Sequence, residues 1–270
     1  VEGLLAPLEI AGGSMAETLL GPHRRLVCSD CGEEFAVGDE EPPATSAAAC
    51  PNCGLRAPLD DAAVAGDRVL LDRVSLQLRR PRRWEVVALR APDASGRTLV
   101  KRVVGLPGES VEILGGDVFI DGRPARKTLQ QQRALAVLVH DQQHVPHGDA
   151  LPPRWQPDSP LSSWQASEGF VESDATGRDT FDWITYRHWE RLANGSVAEG
   201  PVRTSLPYND ARVRRGETLR PCRDLLLAFR LTASEGEGRV AVQAREGANE
   251  FELELLWREG AWSGEVRRLP

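Results

Sequence analysis

The chain has 270 residues, of which 41% are hydrophobic, so it can fold as one large domain or two ordinary ones and is not a disordered chain. Its formal net charge of −7 and isoelectric point near 5.4 argue against a general nucleic-acid-binding protein. No segment approaches the roughly 18–20 consecutive apolar residues of a membrane-spanning helix. The chain begins with Val1 rather than Met, so we expect an upstream piece, where a membrane anchor would lie.

The first half of the chain divides into three regions of different composition. Residues 1–27 are apolar, then glycine-rich, then basic, and residues 28–56 hold two cysteine pairs around an acidic loop rich in proline and alanine. Residues 62–127 alternate short apolar, β-branched runs with glycine-containing turns, which predicts a hairpin-rich β domain. The predicted strands are Val69–Leu71, Glu85–Leu89, Thr98–Val104, Ser110–Leu114 and Val118–Ile120.

The second half begins with a helical and proline-rich linker over residues 128–160, in which residues 128–140 have loose helical spacing. Residues 161–270 return to strand-length apolar runs about ten residues apart, which predicts an antiparallel β-sandwich of jelly-roll or lectin-like type. The later predicted strands are Leu225–Leu231, Arg239–Ala244, Phe251–Trp257 and Ala261–Val266. The whole chain is therefore predicted to be mainly β.

Four of the five cysteines form two Cys-x-x-Cys pairs, Cys28 with Cys31 and Cys50 with Cys53, separated by 18 residues. Zinc ribbons use this arrangement, because each pair presents two thiolates to one tetrahedral ion. Two disulfides or free core thiols are the alternatives. Four ligands close the coordination sphere, so we expect a structural Zn²⁺ and not a catalytic one. Cys222 has no partner in this pattern and is expected to be a small buried side chain.

A serine and a lysine are candidates for catalysis. Ser14 follows Gly12 and Gly13, which let the backbone approach a substrate, and neighbouring N–H groups can stabilise an oxyanion. Lys101 lies in an apolar strand, and if its side chain points inward, burial favours the neutral amine that a general base needs. Taken singly, a Gly-Gly-Ser run is more often an ordinary loop, and Lys101 or Arg102 is more often the outward residue of a strand.

Three blocks in this order resemble the type I signal peptidase family of serine–lysine proteases. Ser14-Met15 with Leu19 is similar to the nucleophile box, Gly66-Asp67 with Val69 to the next strand box, and Lys101–Gly108 to the lysine box almost residue for residue. The hairpin at residues 117–124 is similar to the one that follows in the family. The resemblance implies a discontinuous catalytic domain over residues 1–27 and 57–127, interrupted by the ribbon.

The resemblance also implies roles for single residues. Ser14 would be the nucleophile and Lys101 the general base, with Gly12, Gly13 and Met15 around the substrate and oxyanion. The N–H of Ser14 would form part of the oxyanion hole, and Gly12 stands where many members place a second hydroxyl donor.

The chain departs from the family pattern at two places. Glu17 stands where proline is usual. The family's last Gly-Asp-Asn-Ser box, which supports the lysine, has no counterpart, and Tyr208-Asn209-Asp210 is not one. We expect this box either downstream of Pro270, which would make residues 128–270 an insertion, or lost in this homologue.

The resemblance implies a membrane-associated serine endopeptidase that removes signal peptides from exported proteins at the bacterial cytoplasmic membrane, facing the periplasm or outside. Expected partners are preprotein substrates and that membrane, with no nucleic acid and no catalytic cofactor. The tryptophan-rich region after residue 161 could bind a sugar or peptide, although most of its aromatic side chains are expected in a core. The alternative is a catalytically incomplete peptidase-like scaffold that carries a zinc ribbon and a ligand-binding sandwich. A self-cleaving regulator is less favoured, because no DNA-binding segment is visible.

Overall fold

The computed structural model describes residues 3–39, 47–59, 62–93, 95–148, 151–174, 180–192, 194–204, 208, 220–222, 224–232, 237–246 and 249–269. They form antiparallel strands with little helix, which confirms the prediction of a mainly β protein. The chain divides into two compact units: unit 1 comprises Val1–Gly148 and Thr204–Arg220, and unit 2 comprises Asp149–Arg203 and Pro221–Pro270. Within the described ranges, no helix combines the length and apolarity needed to cross a bilayer.

Unit 1 is a series of antiparallel strand pairs. Strand β1 (Leu5–Glu9) pairs with β6 (Arg68–Asp72), although more than fifty residues separate them in the chain. Between them lie two short hairpins, β2 (His23–Val27) with β3 (Glu34–Gly38) and β4 (Ala47–Ala49) with β5 (Arg56–Pro58). After β6 come the pair β7 (Val86–Arg90) and β8 (Thr98–Arg102) and the meander β9 (Val111–Leu114), β10 (Asp117–Ile120) and β11 (Arg123–Pro124).

The helices of unit 1 are short. One turn of 3-10 helix spans Gly13–Met15, α1 spans Ser75–Leu78, and α2 spans Leu129–Arg133. A capping box starts α2, because the Thr128 hydroxyl accepts the Gln131 N–H while the Gln131 side chain accepts the Thr128 N–H. The helical spacing predicted for residues 128–140 is therefore realised only up to Arg133.

The described residues of unit 2 form three small strand pairs and one meander. The pairs are β12 (Trp155–Pro157) with β15 (Ile184–Tyr186), β13 (Trp164–Ser167) with β14 (Phe170–Ser173), and β16 (Trp189–Arg191) with β17 (Val197–Glu199). The meander β18 (Gly238–Glu246), β19 (Asn249–Arg258) and β20 (Ala261–Leu269) coincides with the last three predicted strands. The packing of these sheets as a sandwich stays a prediction, as do the predicted domain borders.

One predicted strand is wrong. Described residues 224–232 are irregular, and the side chains of Leu225, Leu226 and Leu227 are exposed. An apolar run becomes a strand only when a neighbouring strand supplies hydrogen bonds, and no described strand pairs with this one.

Buried side chains of unit 1 lie near both features that the sequence identifies. Ile10 and Met15 are buried on either side of Ser14 in the chain. The four pair-forming cysteines are buried together with apolar neighbours from the two short hairpins, namely Leu26, Phe35, Val37, Ala48 and Ala57. The buried side chains of unit 1 also include Trp84 and Ala91.

Candidate active site and metal site

Ser14 and Lys101, which are 87 residues apart in the chain, meet at hydrogen-bond distance. Ser14 is the middle residue of the 3-10 turn, and Lys101 lies in β8 opposite Val87 of β7. The Lys101 Nζ donates to the Ser14 Oγ at 2.6 Å. A general base must lie about 2.6–3.2 Å from the atom whose proton it takes. When the amine is neutral, the same contact can carry the Ser14 proton to Nζ.

The loop that carries Ser14, residues 10–20, is closed by Asp67. The Ile10 N–H donates to the Asp67 carbonyl at 2.9 Å, and the Asp67 N–H donates to the Leu20 carbonyl at 2.8 Å. The Leu20 N–H in turn donates to the Asp67 carboxylate at 2.8 Å. One residue therefore holds both ends of the loop, which gives the Gly66-Asp67 block a physical role.

Gly66 allows the close packing at the base of this loop. A Cβ at this position would lie 1.8 Å from the Ile10 carbonyl oxygen and 3.1 Å from the Gly21 Cα. Both neighbours are backbone atoms, so no side-chain rotation could relieve the contact. Only glycine fits between the two ends of the Ser14 loop.

The other residues predicted around the oxyanion lie within the same turn. Gly12 has extended backbone geometry, whereas Gly13 and Met15 are buried. The Gly13 carbonyl accepts the Ala16 N–H at 3.1 Å, and the Met15 carbonyl accepts the Leu19 N–H at 2.9 Å. These bonds hold Ser14 in a tight turn with its hydroxyl exposed.

Arg102, the neighbour of Lys101, fixes the far side of the Ser14 loop. Its guanidinium donates to the Thr18 hydroxyl and to the Trp84 carbonyl, each at 2.8 Å. Desolvation by burial lowers the pKa of Arg102 from its usual value, but an arginine remains a cation at neutral pH. Arg102 therefore positions the loop and adds a positive charge beside it.

A cleft of about 340 Å³ opens beside Ser14. Its walls come from the Ser14 loop, from β8 and from the segment after α2; the lining residues are Ser14, Met15, Ala16, Glu17, Thr18, Arg102, Ala134, Leu135, Ala136 and Val137. Leu135 and Val137 are half-buried there. A segment predicted from the sequence as part of a linker thus forms one wall of the cleft.

Both members of the Ser14–Lys101 pair are exposed residues. Within the described part of the chain, Ser14 is the residue that hydrogen-bonds the Lys101 amine. Of the run Tyr208-Asn209-Asp210, the last two residues lie outside the described part of the chain. Tyr208 is described, and its hydroxyl donates to the Pro22 carbonyl at 3.0 Å.

Glu17, where the family usually has proline, lines the same cleft. Desolvation raises the pKa of its carboxyl, and a hydrogen bond from the Tyr208 backbone opposes that rise. The resemblance to the family gives no role to this carboxyl.

The second cluster contains the four cysteines. Their Sγ atoms all lie within 4.8 Å of one another, with Cys28 to Cys53 at 3.5 Å and Cys31 to Cys50 at 3.7 Å. A disulfide would bring two sulfurs to about 2.05 Å, so the cysteines are not paired as disulfides. Tetrahedral zinc with Zn–S bonds of about 2.3 Å places its ligands about 3.8 Å apart, which fits these distances.

The two Cys-x-x-Cys turns have the same backbone geometry. The Gly32 N–H donates to the Cys28 carbonyl and the Gly54 N–H to the Cys50 carbonyl, each at 2.9 Å, and both glycines have positive φ. Burial raises the pKa of the Cys31 thiol to about 12, so this group stays protonated at neutral pH unless a cation compensates its charge. The four thiols could therefore hold a metal ion.

Comparison with known proteins identifies relatives of this chain. "Probable signal peptidase I-1" of Synechocystis sp. is 30% identical to this chain over 151 residues, which cover 52% of the chain and 72% of the relative. The chain belongs to the type I signal peptidase family. A family model described as "Signal peptidase, peptidase S26" matches residues 57–159 of this signal peptidase homologue. The match contains Lys101 and the cleft wall but begins after Ser14 and the cysteines.

Other relatives match shorter parts of this signal peptidase homologue. "Signal peptidase I" of Leptolyngbya laminosa is 32% identical over 72 residues, covering 24% of this chain and 36% of the relative. "Signal peptidase I V" of Bacillus subtilis is 29% identical over 76 residues, covering 28% and 44% respectively. Coverage of the relatives' length therefore ranges from about a third to nearly three quarters. No solved structure matches.

Several residues of the site carry no local sequence signal in this signal peptidase homologue. Leu135 belongs to the run with loose helical spacing and Val137 does not, and the place of both in the cleft depends on contacts distant in the chain. Asn52, between two cysteines, reads as an ordinary turn residue, yet it is 1% exposed and fully hydrogen-bonded. Only the asparagine's position inside a Cys-x-x-Cys turn could have drawn attention to it.

Proposed function

We propose that this chain is the catalytic part of a membrane-associated serine endopeptidase that cleaves signal peptides from exported proteins. The observation that carries the proposal is the 2.6 Å hydrogen bond between Lys101 Nζ and Ser14 Oγ in a member of the type I signal peptidase family. Cleavage would follow small residues at the end of the signal peptide, the pattern that such cleavage sites have.

The proposed chemistry is acyl transfer. Ser14 Oγ attacks the scissile carbonyl while neutral Lys101 takes its proton, and a tetrahedral oxyanion forms that the Ser14 N–H helps to stabilise. The C–N bond then breaks, Lys101 returns the proton to the leaving amine, and an ester to Ser14 remains. Water attacks this acyl-enzyme with Lys101 as base again, which releases the signal peptide and restores the hydroxyl.

Substrate binding has a specific task in this mechanism. Ser14 is exposed in the chain alone and lines the cleft. A peptide lying in this cleft would exclude water from the Ser14 side chain and hold the scissile carbonyl beside its Oγ.

We also propose a structural Zn²⁺ held by Cys28, Cys31, Cys50 and Cys53. Four thiolates fill the coordination sphere of zinc, so no position remains for water or substrate, and catalysis needs no metal. The ion would supply cross-linking of two short hairpins whose apolar core is small.

The remaining proposals concern partners and place. The substrates would be preproteins, and the membrane would be the bacterial cytoplasmic membrane, reached through an upstream anchor, with the catalytic part facing the periplasm or outside. In unit 2, the rings of Trp257 and Trp262 lie 5.0 Å apart on adjacent strands, and such an aromatic pair could contact a sugar or peptide.

The test is cleavage of a peptide with a small-x-small site by the purified chain. Ser14→Ala and Lys101→Ala should each lower kcat/KM by about 10⁴-fold, because each removes one half of the proton-transfer pair. Ser95→Ala, in an exposed loop, and Lys127→Ala, whose amine lies 4.8 Å from the Trp84 ring, serve as matched controls and should keep full activity.

Persistent turnover in Ser14→Ala or Lys101→Ala would refute the mechanism. Absence of turnover in the unaltered chain, with the fold intact, would favour the peptidase-like scaffold instead. Ser14 and Lys101 are exposed in the chain alone, and this observation is the reason for retaining the scaffold as a second candidate function.

A further inference from the structure

The segment that forms one wall of the cleft also contacts the cysteine cluster. We call residues 134–148 the strap. Its first residues, Ala134–Val137, line the cleft with Ser14. Its last residues, from His140 onward, hydrogen-bond to both Cys-x-x-Cys turns. The strap therefore connects the candidate active site to the candidate metal site within unit 1.

The second cysteine turn holds the strap through Asn52. The Asn52 amide donates to the His144 carbonyl at 2.5 Å, and its side-chain oxygen accepts the Asp141 N–H at 3.0 Å. The same oxygen lies 2.9 Å from His140 Nδ1, so that nitrogen carries the proton. The Asn52 side chain also hydrogen-bonds the Cys31 thiol. One buried amide thus joins a metal-ligand candidate to the strap.

The first cysteine turn holds the end of the strap. The Gly148 N–H donates to the Asp30 carboxylate at 3.0 Å, and the His147 N–H donates to the Asp30 carbonyl at 3.2 Å. His144 Nδ1 donates to the Cys31 carbonyl at 3.2 Å. Both turns must therefore keep their conformation for the strap to keep its contacts.

The strap has little structure of its own. Residues 136–148 contain no helix or strand, and the strap's described backbone bonds go to short turns and to the two cysteine turns. Ordering such a segment costs backbone conformational entropy at every residue, so the contacts at its far end decide whether it stays ordered. The conformation of the cysteine turns in turn depends on the ion that four thiolates would hold.

We propose that the metal-loaded ribbon holds the strap in place, so that Leu135 and Val137 form a substrate-contacting wall of the cleft. Loss of the ion, or of the Asn52 contacts, releases the strap and weakens recognition of the peptide while Ser14 and Lys101 keep their hydrogen bond. The part of this proposal that concerns peptide recognition rests on the proposed function.

The test compares amide hydrogen exchange in the zinc-loaded chain, the chain treated with a chelator under reducing conditions, and zinc-loaded Asn52→Ala. The Asp141 and Gly148 amides should exchange at least about tenfold faster in the second and third samples. Amides of the β1–β6 pair should not change. Asn194→Ala, which removes an asparagine from a turn of unit 2, is the matched control and should leave strap exchange unchanged.

Zinc content is measured on each variant. Asn52→Ala should retain one zinc per chain, because all four thiols remain. If that variant fails to bind zinc, Asp30→Ala removes the other anchor without touching Asn52 and should produce the same faster exchange at Gly148. Strap amides that stay protected while the ribbon amides lose protection on chelation would overturn the proposal.

The kinetic arm uses the small-x-small peptide. Asn52→Ala should raise KM about fivefold and change kcat by less than about twofold, since it moves a binding wall and leaves the reacting pair intact. Faster strap exchange with unchanged KM would overturn the role of the wall. If the unaltered chain cleaves nothing, the proposed function fails, and the exchange measurements still decide whether the ribbon holds the strap.

Discussion

Replacing Gly66 with alanine tests how tightly the Ser14 loop must be held. The new Cβ would lie 1.8 Å from the Ile10 carbonyl oxygen and 3.0 Å from its carbonyl carbon. Gly66 is buried and directly precedes Asp67, which bonds both Ile10 and Leu20. The substitution therefore pushes on the backbone at the base of the loop and adds nothing else.

The size of the displacement follows from the contact distance. Carbon and oxygen atoms in close backbone contact lie about 3.3 Å apart, so Ile10 and Gly66 must separate by about 1.5 Å. Ser14 is four residues from Ile10 and lies in a tight, hydrogen-bonded turn, so part of this displacement reaches its Oγ. A misplacement of about 1 Å at a reacting atom can cost about 10²-fold in rate. Overpacking should also cost about 1–3 kcal/mol of stability.

The assay is steady-state cleavage of a small-x-small peptide, with unfolding followed by denaturant titration. Gly66→Ala should lower kcat/KM about 100-fold, mainly through kcat, because the substitution disturbs the Ser14–Lys101 geometry more than it disturbs the walls of the cleft. Gly238→Ala is the matched control, since a Cβ there meets nothing within 4 Å. Activity of Gly66→Ala within about twofold of the unaltered chain would refute the view that this packing positions Ser14.

Three further predictions concern other parts of the chain. Asp67→Ala should cost about 1–3 kcal/mol by leaving the Leu20 N–H without its acceptor, which chemical denaturation measures; unchanged stability would contradict the bond's role. Hydrogen bonds from Gln243 and Arg267 lower the pKa of Glu252, so their stabilisation is present above the ordinary glutamate pKa and is lost as pH falls through the lowered value. Glu252→Gln should therefore lower the melting temperature at pH 7 more than at pH 3, and an equal effect at both would refute this. Ala134-Leu135-Ala136 has the small-x-small pattern, but the Leu135 and Ala136 N–H groups are bonded in turns, so the chain should not cut itself after Ala136; a product ending there by intact mass would be contrary evidence.

The local parts of the fold were predictable from the sequence. The three runs that became β18, β19 and β20 are separated by glycine- or asparagine-containing turns, and each run pairs with the next one in the chain. Pairing strands that are neighbours in the chain costs little loop-closure entropy, so the apolar pattern alone is enough to predict these strands. The run Leu225–Leu231 has similar apolar content but lies in an irregular, exposed segment. Periodicity describes a strand's composition and cannot supply its partner.

The site was predictable in part. Ser14 and Lys101 emerged from the order of three motif blocks, whereas periodicity alone favoured an outward-facing Lys101. In the structure, Lys101 is exposed, and its amine also hydrogen-bonds the Ser14 hydroxyl. The strap was not predictable, since its anchor Asn52 lies 92 residues before His144 in the chain. No periodicity or local motif encodes a contact at that separation.

Trapping the acyl-enzyme tests the central claim most directly. The chain is mixed with an excess of a small-x-small peptide ester, quenched in acid within one turnover, and analysed by intact and fragment mass. An adduct of the peptide's acyl mass should appear on Ser14, should be absent in Ser14→Ala, and should form far more slowly in Lys101→Ala. Peptide cleavage without any adduct on Ser14, or with an undiminished rate in Ser14→Ala, would contradict the account.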